Sequence, residues 1–327
     1  MLLPVIAIAA SCARGSAAPP ARLSVWTLPS PQISNEVAAR FGNRDGPSAL
    51  GPLFTIDTIS FRAVQVRQGG AGYEEVRTSE TTWGGFHWTL PMVITTHQGN
   101  RYHPETLRAL ARDTAALAGF ARSLTRAARD MRIILDFQLA TPDDIPEMVD
   151  VARAIGGVSR VEGLRSLSMI VPANDTVAYP TLLLARVADW LIIRLQGEHR
   201  PGTAPGPLVT PEFAARAIGM RARLIGASRL GVELPLFGYI WRRDGSAVPV
   251  TYAEAQALVR SESGVFTRDP LSQYLTARGR DGWTVWVPDA RTIQFLRDAV
   301  RLRGITSVHL AGPEGADPAI FPAQETR

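Results

Sequence analysis

Residues 230–245 read LGVELPLFGYIWRRDG. The first seven, Leu230–Leu236, are an apolar run broken by a single acid, Glu233, and a helical pattern over Pro211–Arg223 precedes them. A short run of Leu and Val between helical stretches is the pattern of a strand in a parallel sheet, where both faces are covered. Thr210 followed by Pro211 supplies a cap and a first-turn proline, so the helix upstream opens in the expected way.

Outward from this strand the alternation repeats. Further strands are expected at Leu23–Thr27, Thr58–Val66, Leu90–Thr95, Arg132–Leu139, Ser166–Val171, Trp190–Leu195 and Ser307–Leu310. Helices are expected at His103–Ala128, Asp144–Ala154, Tyr179–Val187, Pro211–Arg223 and Arg291–Leu302. Eight strands with intervening helices over roughly 300 residues fit an α/β fold of the (β/α)8 TIM-barrel type better than an open doubly wound sheet. No G-x-G-x-x-G follows a strand and no Walker A pattern occurs, so dinucleotide and nucleotide binding lose their main warrant. Gly69–Gly85 reads as a hairpin or long loop, and Asp244–Val287 as a small α+β insertion between strands seven and eight, with a helix at Tyr252–Ser261 and strand-like runs at Gln273–Ala277 and Thr284–Val287. The expected organisation is a leader and tether over residues 1–21, then one barrel domain over 22–327.

The opening MLLPVIAIAASC has the length of a signal-peptide core and falls short of the roughly 20 apolar residues a spanning helix needs. It predicts export, to the periplasm or outer surface. AIAASC resembles a lipobox in which Cys12 is lipidated, although Ala9 and Pro4 depart from that pattern; plain secretion stays open, and a lipid on Cys12 is the one membrane attachment expected. With a single Cys there is no internal disulfide, so stability must come from the core. The net charge of +5 does not point to nucleic acid: all 35 basic residues are Arg, scattered among acids and not massed in a stripe. The five His share no metal-ligand spacing, and neither metal nor cofactor is expected.

The last third carries a more specific signal. Pro235, Phe237, Gly238, Tyr239 and Trp241 follow a P-x-Y-G-Y-x-W pattern with Phe for the first Tyr. Tyr252, Glu254 and Ala255 follow Y-x-E-A, while Trp286, Asp289, Ala290 and Thr292 follow W-F-x-D-A-x-S. PGPLVTPEF at 205–213 resembles G-P-x-A-S-P-E-W. In order and spacing the segment from Ala121 to Phe321 resembles glycoside hydrolase family 18, the chitinase-like barrels, nearest the bacterial branch of spore-cortex hydrolases and polysaccharide-deacetylase fusions.

That resemblance implies hydrolysis of β-1,4 links to N-acetylglucosamine by substrate assistance, with one indispensable Glu closing D-G-x-D-x-D-x-E at the end of strand four. The corresponding segment here is MRIILDFQ, so Asp136 stands at the last Asp, Gln138 at the catalytic acid, and Met131 and Ile134 at the earlier acids. A carboxamide can hold a sugar oxygen but cannot donate a proton as a general acid near neutral pH. The family's M-x-Y-D falls on Arg194, Leu195, Gln196 and Gly197, and its sugar-stacking Trp on Ala311. Four roles are vacant together.

The expectation is therefore a catalytically degenerate barrel with a non-catalytic glycan-binding or scaffold role at the cell envelope, its partner an N-acetylglucosamine-containing glycan or an envelope protein. The alternatives are an active glycosidase with relocated groups and a purely structural lipoprotein. Candidate ligand contacts are Asp136, Gln138, Gln196, Glu198, His97 and Trp241. Each has a plainer reading. Asp136 is either a relic or the partner of an Arg such as Arg194; His97 is a loop residue beyond strand three; Trp241 and Trp286 pack the insertion on the barrel. Glu198 with His199, or Glu233, are the places where a relocated acid could stand, and Glu233 either points inward beside Asp136 or is solvated among the helices.

Overall fold

The computed structural model describes residues 104–127, 132–161, 163, 165–312 and 315–320, and before them the backbone of short strands between 21 and 102. Cys12, the leader, the tether and Met131 lie outside the described residues.

In chain order the strands and helices are β1 (Ala21–Trp26), β2 (Phe54–Ser60), β3 (Arg62–Val66), β4 (Tyr73–Val76), β5 (Met92–Thr95), β6 (His97–Gln98), β7 (Arg101–Tyr102), α1 (Glu105–Ala111), α2 (Thr114–Ala127), β8 (Arg132–Asp136), α3 (Ile145–Val161), β9 (Ser166–Pro172), α4 (Thr181–Leu184), β10 (Trp190–Arg194), α5 (Pro211–Ile225), β11 (Leu230–Pro235), β12 (Phe237–Trp241), β13 (Ala247–Thr251), α6 (Tyr252–Ser261), β14 (Thr267–Arg268), β15 (Leu275–Arg278), β16 (Thr284–Val287), α7 (Ala290–Arg301) and β17 (Ser307–Ala311). The main sheet runs β2-β1-β17-β11-β10-β9-β8-β5-β3-β4. Every pairing in it is parallel except β3 with the added hairpin strand β4. β2 and β3 are separated by one residue in the chain, yet β2 pairs with β1 and β3 with β5. Counted as one strand they complete eight parallel strands, the connectivity of a (β/α)8 barrel.

Side-chain alternation sorts two environments. Ile133, Leu135, Met169, Leu191, Ile193, Val232, Leu234, Val308 and Leu310 join the large core beneath the helices. Ile134, Ile170 and Ile192, with Ala311 against them, form a separate small cluster within the ring of strands. Helix ends follow sequence rules: Thr210 accepts from the Phe213 amide at 3.1 Å at the start of α5, and Asp289 accepts from the Thr292 amide at 2.9 Å at the start of α7.

Three expected helices differ in extent. The stretch 103–128 is two helices, because the Asp113 carboxylate accepts from the Ala115 and Ala116 amides at 3.0 and 2.9 Å and so caps a new start. The helix expected at Tyr179–Val187 shortens to α4, and the one expected to end at Ala154 continues to Val161.

The insertion is a second, antiparallel sheet, β13-β12-β16-β15-β14, with α6 on it. Tyr274, fully buried, and half-buried Phe237, Tyr239 and Trp286 pack it onto the barrel core. Within it Gly238 is required by proximity: a Cβ there would stand 1.8 Å from the Trp286 carbonyl oxygen on the neighbouring strand. Gly238→Ala should therefore cost about 3 kcal/mol of stability, whereas Gly219→Ala in α5, where a Cβ meets nothing within 4 Å, should gain about 0.5–1 kcal/mol. Urea denaturation of the two variants side by side checks both signs.

Candidate active site in the barrel mouth

Parallel strands in register carry their side chains on the same face, so alternation fixes what meets at the C-terminal end of the barrel. Asp136 follows Ile134 by two residues on β8, and Arg194 follows Ile192 by two on β10. Arg194 is in register with Glu233 on β11, which is in register with His309 on β17. These four polar residues occupy the inner face.

Arg194 is the centre of the group. Its Nη1 and Nη2 donate to the two Asp136 carboxylate oxygens at 3.1 Å each, and the same guanidinium donates from Nε and Nη2 to Glu233, the second contact at 3.2 Å. All three side chains are close to fully buried. A planar guanidinium can serve two carboxylates at once because its donors form a rigid fork, and it cannot shed its proton to escape burial. Burial pushes the Glu233 carboxyl above the ordinary carboxylate range, against the opposing pull of Arg194 and with a further push from Asp136. His309 lies deeper, its Nε2 3.1 Å from Ser307 Oγ and packed against Gly231; burial lowers its pKa to about 3, which keeps the ring neutral.

Gln138 sits one step nearer the rim. It is buried, and among the described residues its Nε2 has no hydrogen-bond partner. The turn that presents it is held firmly: Leu139 has φ +61°, an uncommon conformation for a residue with a side chain, and Tyr179 clamps both flanks by donating to the Phe137 carbonyl at 2.6 Å and accepting from the Ala140 amide at 3.0 Å. Tyr179 is itself positioned by Arg221 of α5, a fully buried cation that donates to the carbonyls of Pro172, Asp175 and Tyr179 and to the Thr181 hydroxyl at 2.8–3.0 Å. No carboxylate accepts from Arg221 in these bonds, and burial lowers its pKa to about 10.

The remaining candidates are not brought to this centre. Glu198 accepts from the Thr210 amide at 2.7 Å and the Thr210 hydroxyl at 2.9 Å, so it braces the start of α5. The His199 ring lies where a Cβ on Gly206 would come within 2.5 Å, with Nδ1 2.9 Å from the Ala204 carbonyl oxygen. Glu198 and His199, where the sequence allowed a relocated acid–base pair, are thus placed in the loop that braces α5. Glu233, the other place for a relocated acid, points inward, is buried beside Arg194 and accepts from its guanidinium. Trp241 as a ligand contact is corrected to packing: it is buried, edge-on to Tyr239 with ring centres 5.6 Å apart. Gln196 is half-buried just past Arg194. His97 pairs with Tyr102 through the backbone of a two-stranded ladder. Ala311, beside Pro235 in register, presents a methyl group at the inner face.

The fold has relatives among solved structures. A chitinase from Chromobacterium violaceum ATCC 12472 superposes with a TM-score of 0.75 at 18% identity, over 92% of this chain and 96% of its own. The spore cortex-lytic enzyme SleL of Bacillus cereus gives 0.73 at 16%, over 92% and 73%. A glutamate-to-glutamine mutant of the class V chitinase of Nicotiana tobaccum, solved with NAG4, gives 0.64 at 14%, over 89% and 93%. This chain has the chitinase barrel fold. No protein-family model and no curated protein matches it.

Sequence reasoning did not find Tyr179, Arg221 or inward-facing His309. The signals existed: Arg221 continues the buried stripe Ala214, Ala217, Ile218 of α5, and His309 has the parity of Ala311. Arg194→Met should leave two buried carboxylates without their guanidinium and cost about 3–5 kcal/mol at neutral pH. A carboxyl whose folded pKa is raised favours folding below its unfolded value and loses that contribution as pH climbs to the folded value. The penalty should therefore shrink as pH falls from 7.5 toward 5; urea midpoints at the two values test this, and a pH-independent difference would contradict it.

Proposed function

We propose that this protein is a non-hydrolytic barrel of the chitinase fold that holds an N-acetylglucosamine-containing glycan weakly at its C-terminal mouth, as an exported protein of the cell envelope. The observation that carries the reading is the Arg194 guanidinium lodged between Asp136 and Glu233, with Gln138 where the family resemblance puts the acid. Hydrolysis by substrate assistance needs a proton at the leaving oxygen and a carboxylate free to steer the acetamide. Gln138 has no such proton to give. Asp136 faces a cation that holds both its oxygens.

Retained binding is supported by the buried Gln138 Nε2, a donor whose unmet hydrogen bond costs about 1–3 kcal/mol that an acceptor on a ligand would return. It is also supported by the neighbouring fold from Nicotiana tobaccum, where a glutamine in place of a glutamate is compatible with bound NAG4. Ala311 favours a second reading, a protein scaffold without glycan affinity, because a methyl group gives a pyranose ring no aromatic platform.

Purified protein mixed with N-acetylglucosamine oligomers and with peptidoglycan should release no product, while titration calorimetry should find a Kd on the order of 1 mM. Gln138→Glu alone should not create turnover, because Arg194 still holds Asp136. Gln138→Ala should weaken binding about fivefold. Product release by the unmodified protein would overturn the reading, and absence of both turnover and binding would leave the scaffold.

A further inference from the structure

The helices of the barrel run back against the strands, so helix C-termini and strand starts share one face, opposite the mouth. Contacts between neighbouring units make that face continuous from α3 to α7. Arg160 at the end of α3 pairs with Asp189 before β10 at 3.1 Å. Arg229, after α5, donates to the carbonyls of Ala185, Ala188 and Asp189 at 2.8–3.1 Å. A Cβ on Gly304, after α7, would stand 3.2 Å from the Ala227 Cβ.

Large apolar side chains stand out of this band: Val161 is 88% exposed and Leu302 87%, with Leu224 half-exposed and Trp190 at the start of β10. Basic residues flank them. Arg165, Arg186, Arg223 and Arg303 are exposed around the same ends, against two described acids that are already paired, Asp189 with Arg160 and Asp298 with Arg297. A cation near a helix C-terminus is ordinary, since it meets the negative end of the dipole. Val161, the last residue of α3, and Leu302, which follows α7, have no such reason to be exposed beside those cations, since Val149, Val151, Ile155, Ile293, Leu296 and Val300 of the same helices are buried. Apolar side chains within a basic collar match the interface of an anionic bilayer, where the former enter the headgroup layer and the latter meet lipid phosphates. β1 starts on this face, and only eight residues separate its first residue from Cys12 and the apolar run MLLPVIAIAAS, a span of about 26 Å when extended. Any attachment at that run would hold this face near the lipid.

We propose that the N-terminal face of the barrel, centred on Leu224 and Leu302 with Arg223 and Arg303, docks on an anionic lipid surface and turns the mouth away from it. The inference does not depend on what the mouth binds.

The test is flotation of the full chain with vesicles of phosphatidylcholine alone or with phosphatidylglycerol added, comparing the parent with Arg223→Glu/Arg303→Glu and with Leu302→Asp. All three carry the same leader, so differences report the barrel face. The altered positions are exposed or half-exposed, and circular dichroism should confirm unchanged folding. The parent should favour the anionic vesicles, each variant should partition about tenfold less, and half-molar salt should reduce the preference. Equal partitioning of parent and variants would overturn the proposal. So would loss in the charge variant with none in Leu302→Asp, together with competition by a soluble polyanion, since the face would then be a polyanion site.

Discussion

A guanidinium between two carboxylates, out of water and inside a ring of strands, sets the terms for everything around it. Arg194 cannot become neutral, and removing either acid would strand charge in a medium where solvation is poor. β8, β10 and β11 are therefore tied by more than their ladders, through Asp136, Arg194 and Glu233. The isoleucine layer below excludes water from one side, which strengthens the attraction and also raises the cost of any defect in it. A carboxylate used this way is a counterion.

The same economy extends to the rim. Leu139 takes a left-handed backbone conformation, and Tyr179, bonded on both sides of it, keeps the turn closed. Arg221 holds the segment carrying Tyr179 through carbonyls and one hydroxyl. Gln138 is thus presented by a stiff support, its orientation set before any ligand arrives. Preorganisation of this kind favours binding by sparing the ligand the cost of ordering the loop. It supplies no proton.

Much of this was legible in the sequence, and for identifiable reasons. Strands such as Leu230–Leu236 and Trp190–Leu195 are apolar on both faces because helices cover one side and the barrel interior the other, so their runs are hard to mistake. Tyr252–Ser261 has the bounds expected, opened by a capping box of Thr251 before its first residue and Glu254 in its first turn. The pairing of Asp136 with Arg194 was one of two roles the sequence left open for that acid, and the bonds from the guanidinium to both carboxylate oxygens show it formed. What escaped was whatever depended on a third dimension. Asp113 looked like one more polar residue within a helical pattern, and only its two amide contacts make it a break. Glu198 beside His199 resembled chemistry because adjacency in sequence says nothing about Thr210, twelve residues on, which takes both oxygens of that acid. Trp241 was open to two roles, ligand contact or packing of the insertion, because a motif does not reveal whether an indole faces solvent or a second sheet; its burial shows the packing.

A parallel barrel separates its two ends by construction, since every strand points the same way and every connecting helix returns. Changes at the mouth act on what can be bound or transformed; changes at the opposite face act on where the molecule sits. In this chain the mouth holds the ion-paired group Asp136, Arg194 and Glu233 above a well-packed isoleucine layer, with a stiff rim around Gln138. The opposite face carries Val161, Leu224 and Leu302 exposed among arginines. Fold alone does not decide function, but it does decide which surfaces can be altered independently. Presentation at the mouth and placement at the opposite face are therefore properties that this fold lets vary separately.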